Sequence, residues 1–259
     1  MKELALLTGA SSGIGLEMAK ELAAKHIDLI LVARRGEILG TLKSELETSH
    51  GVKVHIFIKD LSKVENAMAL YQEVKAQGLQ VTMLINNAGV GAYGQFSETP
   101  LEQELDMIQL NISSLVALTK LFLPDMIQMK HGRIMNVASL LSFLPFPYYS
   151  VYSATKAFVL FFSETLRAEL EGTNVTVTAL CPGPVDTGFT TAEMLQTNAY
   201  ATNKPVDPKF VAKEGIESML AGKGTQVVGF MNGFISNLPR FTPRWLLLKI
   251  TKNLASQKK

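Results

Sequence analysis

The sequence is poor in the residues that build covalent cross-links and metal sites. Its single cysteine, Cys181, excludes an intrachain disulfide framework and fits a reducing compartment. Its few histidines are scattered, and with one cysteine they show no metal-ligand spacing. We therefore predict no bound metal and a cytoplasmic protein. The histidines are His26, His50, His55 and His131.

Long hydrophobic runs are also missing. Apolar stretches such as LLSFLPFP are short and broken by proline, so we expect no segment near the ~20 residues that a membrane-spanning helix needs. The opening MKELALLTGA enters a strand-like run directly, without the features of a signal peptide. No repeat or linker-like stretch interrupts the sequence, and we predict one domain over residues 1–259.

Acidic residues are absent from the last part of the chain. Residues 230–259 hold six cations and no Asp or Glu, so the net charge of +2 divides into +6 here and −4 elsewhere. The mildly acidic body argues against nucleic-acid binding. We interpret residues 230–259 as a basic helical extension that suits either a membrane surface or a partner subunit. Its cations are Arg240, Arg244, Lys249, Lys252, Lys258 and Lys259.

What the sequence does contain is a regular alternation of strand-like and helix-like segments. The strand-like runs are apolar throughout, which is typical of a parallel sheet covered on both sides. The alternation predicts an α/β protein with a doubly wound, mostly parallel sheet of about seven strands and helices on both faces, the Rossmann fold. The runs are LALLTG, DLILVA, VKVHIFIKD, VTMLINNAG, GRIMNVAS, NVTVTALCPG and TQVVGF.

The unusual residues follow these runs, at the strand ends where such sheets bind ligands. TGASSGIG follows the first run, with Gly9, Gly13 and Gly15 in the spacing G-x-x-x-G-x-G. Glycines let a backbone approach a phosphate, and the helix that follows directs its N–H groups and dipole at it. Because a strand precedes this loop and a helix follows it, we predict a dinucleotide-binding loop rather than a simple turn.

The end of the second run indicates which dinucleotide binds. An NAD enzyme usually places an acidic residue here, whereas this chain has Ala33 followed by Arg34 and Arg35. Guanidinium groups bind a 2′-phosphate by charge-assisted bonds, so we predict NADP(H) rather than NAD(H). Arg35 also fits a solvated helix start.

Polar residues end the third and fourth runs as well. Asp60 is placed to accept a bond from an adenine amino group, or else to cap a helix together with Ser62. The NNAG stretch, Asn86 to Gly89, offers small residues against which a cofactor can lie. Asn86 and Asn87 equally suit a role in tying neighbouring strands together.

Tyr152 and Lys156 stand four apart in VYSATKAF, on one face of a helix if the segment is helical. A cation near a phenol favours the phenolate, so the pair suits acid/base chemistry, although alone it would also fit an ordinary exposed helix. Ser139 ends the fifth run and is placed to face the phenol. Thr187, in CPGPVDTGF, offers a hydroxyl to the nicotinamide side.

Together these residues resemble the short-chain dehydrogenase/reductase family across about 190 residues, in the family's order and spacing. The motifs are Thr8-Gly9-x-x-x-Gly13-x-Gly15, Asn86-Asn87-Ala88-Gly89, Ser139, Tyr152-x-x-x-Lys156 and Pro182-Gly183. The resemblance implies an NADP-dependent oxidoreductase that interconverts a carbonyl and an alcohol. It also implies a homodimer or homotetramer.

The resemblance further implies a catalytic tetrad. Tyr152 is the general acid, Lys156 lowers the phenol pKa and holds the nicotinamide ribose, Ser139 polarises the carbonyl, and Asn111 supports a water relay to the lysine. The cofactor contacts that we predict are Gly9, Ser11, Ser12, Gly13, Ile14, Gly15, Arg34, Arg35, Asp60, Leu61, Asn87, Ala88, Gly89, Tyr152, Lys156, Pro182, Gly183, Val185 and Thr187.

The substrate is less defined by the sequence. Large apolar side chains on both sides of Tyr152 favour an apolar ketone, aldehyde or alcohol, with core packing or a subunit contact as the alternative. Two other functions stay open: a cofactor-binding sensor or scaffold without turnover, and a membrane-surface protein that acts through its basic tail. The apolar residues are Phe143, Leu144, Phe146, Tyr149, Phe189 and Met194.

Overall fold

The seven apolar runs form one parallel sheet. The structure, a computed structural model, describes residues 2–257, and its strands are hydrogen-bonded in the order β3-β2-β1-β4-β5-β6-β7. Every neighbouring pair is parallel, which confirms the predicted doubly wound sheet. The strands are β1 (Leu4–Thr8), β2 (Asp28–Ala33), β3 (Val54–Ile58), β4 (Met83–Asn86), β5 (Gly132–Val137), β6 (Val175–Cys181) and β7 (Thr225–Val227).

Helices cover both faces of this sheet. Helices α1, α2 and α9 contribute to the core on one face, and α3, α5 and α6 contribute on the other. The helices are α1 (Gly13–Ala24), α2 (Gly36–His50), α3 (Val64–Ala76), α4 (Leu101–Ile108), α5 (Leu115–Met129), α6 (Ser150–Glu169), α7 (Ala192–Leu195), α8 (Asn198–Thr202), α9 (Pro208–Leu220), α10 (Phe230–Asn237) and α11 (Arg244–Ala255).

Strand β1 shows why the runs are apolar throughout. Successive side chains of a strand point to opposite faces of the sheet. Ala5 and Leu7 belong to the core under α1, whereas Leu4 and Leu6 belong to the core under α3 and α5. All five residues of the strand are buried, so the sequence of the strand does not alternate between apolar and polar residues.

The strand order also locates the site. From β1 the chain proceeds outward to β2 and β3, then returns to place β4 on the other side of β1. Ligands of open α/β sheets bind at such a reversal, beyond the carboxyl ends of the strands. The crevice between the ends of β1 and β4 is therefore the expected cofactor site.

The helix between β4 and β5 corrects one expectation. Leu101–Met129 is the one helical stretch in the described chain whose length and composition alone would suffice to cross a membrane. The prediction that no segment would meet this criterion was wrong, because α4 and α5 run on through a π-helical segment, Gln109–Ser114. Its α5 part contributes Leu118, Phe122 and Met126 to the core on the sheet, as a core helix does.

Candidate active site

The loop after β1 is shaped by its glycines. Gly9 and Gly13 have φ angles of +68° and +56°, a region that residues with a side chain rarely adopt. A Cβ atom on Gly15 would collide with the carbonyl oxygen of Gly9. The glycines thus hold the loop tightly against the first turn of α1.

The amino end of α1 has the features of an anion-binding site. Ser12 precedes the helix in an extended conformation, its side chain does not cap the helix, and the first turn has no acidic residue. Within the described chain, the N–H groups of Gly13, Ile14 and Gly15 have no hydrogen-bond acceptor. Unpaired N–H groups and the positive end of the helix dipole fit a pyrophosphate, so this loop fits a dinucleotide.

The two arginines after β2 have different surroundings. Arg35 donates through Nη2 to the carbonyl oxygen and to Oγ of Ser11, both at 3.0 Å, and so braces the glycine loop. Arg34 is exposed and forms no hydrogen bond or ion pair with the residues that the structure describes. Of the two arginines, Arg34 is therefore the one whose hydrogen-bond donors are unused within the described chain.

Asp60 does not cap α3, the alternative role given for it, because Lys63 precedes the helix and no side chain caps it. It holds a turn before the helix instead. Its Oδ1 accepts from the Ser62 N–H at 3.1 Å and from Ser62 Oγ at 2.9 Å, which delays α3 to Val64. The Ser62 N–H foremost, with the Ser62 hydroxyl and the Arg34 charge, lowers the pKa of Asp60 despite partial burial. The neighbouring Leu61 is buried, and its carbonyl oxygen accepts from Ser114 Oγ.

Asparagines and a threonine join β1 to β4 below the crevice. Thr8 Oγ1 accepts from the N–H groups of Asn87 and Ala88 at 3.0 and 2.9 Å, and Asn87 Nδ2 donates to the Thr8 carbonyl at 2.9 Å. Asn86 Nδ2 donates to Asn136 Oδ1 at 2.9 Å, which extends the network to β5. Both asparagines thus tie strands together.

Gly89 lies where Asn111 and Lys156 converge. A Cβ atom on Gly89 would lie 3.1 Å from Asn111 Oδ1 and 3.3 Å from Lys156 Nζ. The Asn111 side chain, in the π-helical segment, donates to the Val90 carbonyl at 2.9 Å and to Thr155 Oγ1 at 3.1 Å. It also accepts from the Val90 N–H at 3.0 Å, so Asn111 fixes the strand end and α6 relative to each other.

Lys156 is a buried ammonium group with few partners. Its side chain donates to the Val137 carbonyl at 2.7 Å, and the residue is 5% exposed. No other acceptor in the described chain bonds to its Nζ atom, so two donors stay available. Burial lowers the pKa of Lys156 to about 8, while Cys181, buried at the end of β6, acts weakly in the opposite direction.

Tyr152 lies on the same face of α6, with Lys156 Nζ 5.9 Å from its ring centre. Burial raises the pKa of Tyr152 to about 12, Ser139 opposes this, and Tyr200 of α8 adds to it. In the protein alone the pKa of the phenol thus rises, opposite to the decrease expected from the Lys156 charge. Desolvation of the phenol itself is the largest cause of this rise.

Ser139 is held in place by a residue that the sequence did not single out. Ser142 Oγ accepts from the Ser139 N–H at 3.1 Å and donates to the Lys156 carbonyl at 2.7 Å. Ser139 Oγ in turn accepts from the Leu141 N–H at 3.1 Å. Ser142 therefore joins the backbones of two site residues, and only the three-residue spacing of a capping box hinted at it.

The segment after β6 borders the glycine loop. Thr187 packs over Gly13, where a Cβ atom would lie 3.1 Å from its methyl group. Pro182 is buried, and its carbonyl oxygen accepts from the Leu140 N–H at 2.8 Å. Val185 is also buried and bridges to Val206, and Gly183 lies against the Asn232 side chain. The structure thus brings this segment to the cofactor crevice.

The predicted apolar pocket is corrected by the structure. Leu144, Phe146, Tyr149 and Met194 are buried with Leu247 and Ala255 of α11, so they are core residues, and Phe143 is partly buried against them. Core packing was the alternative predicted for these side chains. Their packing partners in α11 lie near the C-terminal end of the sequence. Of the predicted set, Phe189 faces the site, with its ring centre 5.6 Å from that of Tyr152.

Helices α7 and α8 pack in the same cluster as Tyr152, and we call these two helices the lid. Helices α7 and α8 are tied to α11, because Asn198 donates to the carbonyl oxygens of Ser256 and Asn253. Tyr200 of α8 hydrogen-bonds Thr190 Oγ1 at 3.1 Å. The lid therefore rests on the C-terminal helix of its own chain.

Comparisons with known proteins agree with this architecture. A family model described as short chain dehydrogenase matches residues 3–198. The very-long-chain 3-oxoacyl-CoA reductase of Anas platyrhynchos is 32% identical over 263 residues, covering 98% of this chain and 81% of the relative. The 17-beta-hydroxysteroid dehydrogenase type 3 of Homo sapiens is 33% identical over 247 residues, covering 92% and 76%.

A solved structure shows the same fold with a cofactor bound. The short-chain dehydrogenase from Sphingobium yanoikuyae in complex with NADPH superposes with a TM-score of 0.79 at 26% identity, covering 93% of this chain and 97% of that one. The family model, the relatives and the sheet lead to one conclusion. The chain belongs to the short-chain dehydrogenase/reductase family of oxidoreductases, which act on small molecules with a nucleotide cofactor.

Proposed function

We propose that the protein is an NADP(H)-dependent reductase of a ketone or aldehyde carried on a large apolar group. The observation that carries this proposal is Lys156. It is a buried ammonium with two unused donors, next to Gly89 and to the Tyr152 ring. A charge is costly to bury without partners, so such a group is expected where a polar ligand completes its bonds.

Tyr152, Ser139 and Lys156 each have a separate role in the proposed reaction. When bound, the nicotinamide supplies the hydride. The Tyr152 hydroxyl donates its proton to the carbonyl oxygen, while Ser139 Oγ hydrogen-bonds the same oxygen as negative charge develops there. Lys156 binds the ribose hydroxyls with its unused donors. Burial raises the pKa of the Tyr152 phenol to about 12, so at neutral pH its hydroxyl carries the proton that the carbonyl oxygen receives.

The preference for NADP(H) rests on Arg34. Its guanidinium group is exposed and has no hydrogen-bond or ion-pair partner in the described chain, whereas Arg35 is engaged with Ser11. A 2′-phosphate would give Arg34 a charge-assisted partner. The NADPH in the related Sphingobium yanoikuyae structure also supports this choice.

Replacing Arg34 by alanine should weaken NADPH binding by about 30-fold or more, because one charge-assisted pair is lost, while NADH binding changes by less than about threefold. The measurement is titration of both cofactors by fluorescence. Arg35→Ala is the matched control, since it loosens the loop and should weaken both cofactors alike. Equal losses for the two cofactors in Arg34→Ala would remove the basis for the NADP preference.

The apolar character of the substrate is supported by the aromatic ring beside Tyr152. Phe189 is 38% exposed, and its ring centre lies 5.6 Å from that of Tyr152. One relative is named for a very-long-chain 3-oxoacyl-CoA and another for a 17-beta-hydroxysteroid. We propose that this chain also takes a ketone on a long acyl chain or a fused-ring scaffold.

The proposed reaction is tested by following NADPH oxidation against matched ketones. The panel holds 3-oxoacyl thioesters of increasing chain length, ketosteroids, and small polar ketones at equal concentration. We expect kcat/KM to rise with apolar size and to be lowest for the polar ketones. Turnover of the polar ketones alone would contradict the substrate class.

Ser142→Ala tests the positioning of Ser139 and Lys156. Loss of both Ser142 hydrogen bonds should lower kcat by about tenfold and stability by about 1–3 kcal/mol, with NADPH affinity little changed. Ser163→Ala is the control, since this buried hydroxyl of α6 bonds Asn136 and Val159 and neither Ser139 nor Lys156. A similar loss of kcat in both variants would show a merely structural role.

We also propose that the protein forms a homodimer or homotetramer. Exposed aromatic side chains on α6, Phe158 at 40% and Phe161 at 66%, lie on the outer side of the domain, and Leu101 and Leu105 of α4 are exposed as well. Covering these side chains with a second copy would remove apolar surface from water.

A further inference from the structure

Helix α10 buries polar residues and exposes apolar ones, which is the reverse of an ordinary amphipathic surface helix. Its buried residues are polar, Asn232 at 6% and Ser236 at 7% exposure. Its outer side carries Phe230, Met231 and Phe234, which are 94%, 61% and 62% exposed. A surface helix of a soluble domain normally places its apolar side inward, so this outer side is built for contact with something apolar.

Helix α11 packs into the same core cluster as α10 and also leaves apolar side chains exposed. Leu247, Thr251 and Ala255 recur at helical spacing and are buried against the domain. Trp245 and Leu248 lie on the opposite side, 69% and 42% exposed. We name these exposed apolar side chains of residues 230–248 the C-terminal apolar face; they are Phe230, Met231, Phe234, Leu238, Phe241, Trp245 and Leu248.

Cations accompany this face, and carboxylates do not. Arg240, Arg244, Lys249 and Lys252 are exposed, and none of them pairs with a carboxylate in the described chain. No Asp or Glu occurs anywhere in residues 230–259. Aromatic and aliphatic side chains together with Lys and Arg are the composition of a surface that binds anionic lipid headgroups and buries its apolar side among acyl chains.

We propose that the C-terminal apolar face docks the protein on an anionic membrane surface. A symmetric pair of copies is less suited to cover this face, because a two-fold axis would bring the same cations together. Membrane docking is independent of the proposed reaction. It would nevertheless bring the lid, which is tied to α11 through Asn198, towards the source of an apolar substrate.

The chain carries its own probe for this test, since Trp245 is its one tryptophan and is largely exposed. The full-length protein is titrated with vesicles of phosphatidylcholine containing 30% phosphatidylglycerol, or of phosphatidylcholine alone, and binding is also measured by sedimentation. With the anionic vesicles we expect Trp245 emission to shift to shorter wavelength and acrylamide quenching to fall. Raising the salt to 0.5 M should weaken binding several-fold.

Charge variants separate specific docking from general attraction. Arg240→Glu combined with Arg244→Glu should lower vesicle binding by about tenfold or more. Lys25→Glu combined with Lys53→Glu makes the same charge change near the starts of β2 and β3, at the opposite edge of the sheet, and should change binding by less than about twofold. Circular dichroism confirms the fold of each variant.

Three results would overturn the proposal. One is an unchanged Trp245 spectrum with anionic vesicles, and another is an equal loss of binding in both double variants. The third is a Trp245 emission that lies at short wavelength in the protein without vesicles. On dilution this emission would move to longer wavelength while the mass measured by light scattering falls. That result would assign the C-terminal apolar face to an interface between copies.

Discussion

Replacing Tyr152 by phenylalanine is expected to lower kcat by about a thousand-fold, because the carbonyl oxygen loses its proton donor. NADPH affinity should change by less than about threefold, since the ring and its contact with Phe189 are retained. The measurement is NADPH oxidation with the best ketone of the panel, together with a cofactor titration. This contrast separates the chemical step from binding.

The control for this variant is Tyr71→Phe. Tyr71 lies on α3, and its hydroxyl interacts with Asp125, away from the strand ends. It should keep normal turnover. Near-normal turnover in Tyr152→Phe would disprove the mechanism. Tight NADPH binding by the unmodified protein with no turnover of any ketone would favour the sensor or scaffold function instead.

Replacing Lys156 by methionine should stabilise the protein and inactivate it. The unmodified protein buries an ammonium whose pKa falls to about 8 from 10.5, so folding carries the full desolvation cost below pH 8. Between pH 8 and 10.5 the unfolded chain binds the extra proton, and stability of the unmodified protein therefore rises with pH. Methionine removes this cost and its pH dependence.

The expected magnitudes follow from these values. The gain at pH 7 is roughly 1–2 kcal/mol, because a cost of up to roughly 3 kcal/mol is relieved while the bond to the Val137 carbonyl is lost. This corresponds to a rise in Tm of about 2–6 °C without cofactor, and the difference should shrink towards pH 10. Turnover should fall by about a hundred-fold or more, since two charge-assisted bonds to the ribose are lost.

Thermal unfolding at pH 7 and pH 10, followed by circular dichroism, tests the stability effect. Lys120→Met is the control, because Lys120 is exposed on α5 and should change neither Tm nor turnover. A lower Tm for Lys156→Met at pH 7 would show that the buried ammonium is already stabilised within the protein. Retained turnover would contradict its role toward the ribose.

The sheet and the placement of the motifs were predictable because both depend on local patterns. Apolar runs fix the strands, and the carboxyl ends of parallel strands bring distant residues such as Gly9 and Gly89 to one crevice. Which distant residues a side chain packs against is not determined by the local sequence. Leu144 and Met194 adjoin the site in sequence, yet they pack on Leu247, which no nearby spacing could indicate.

Two further features of the site also depend on tertiary structure. Ser142 connects Ser139 and Lys156 only because a short 3₁₀ turn, Leu140–Phe143, brings its hydroxyl between them. The direction of the pKa shift of Tyr152 is decided mainly by how deeply the phenol is buried. Spacing on a helix shows that Tyr152 and Lys156 are neighbours, but it does not show how dry their surroundings are.

The burial of Cys181 has a practical consequence for spectroscopy. This thiol is fully buried, and burial raises its pKa to about 12, so almost no reactive thiolate is present at neutral pH. Because the chain has no other cysteine, a thiol introduced at an exposed position would be the one site that maleimide dyes or spin labels modify. Labels on cysteines introduced into α8 and α2 would thus report the distance between these two helices while the native Cys181 stays in place.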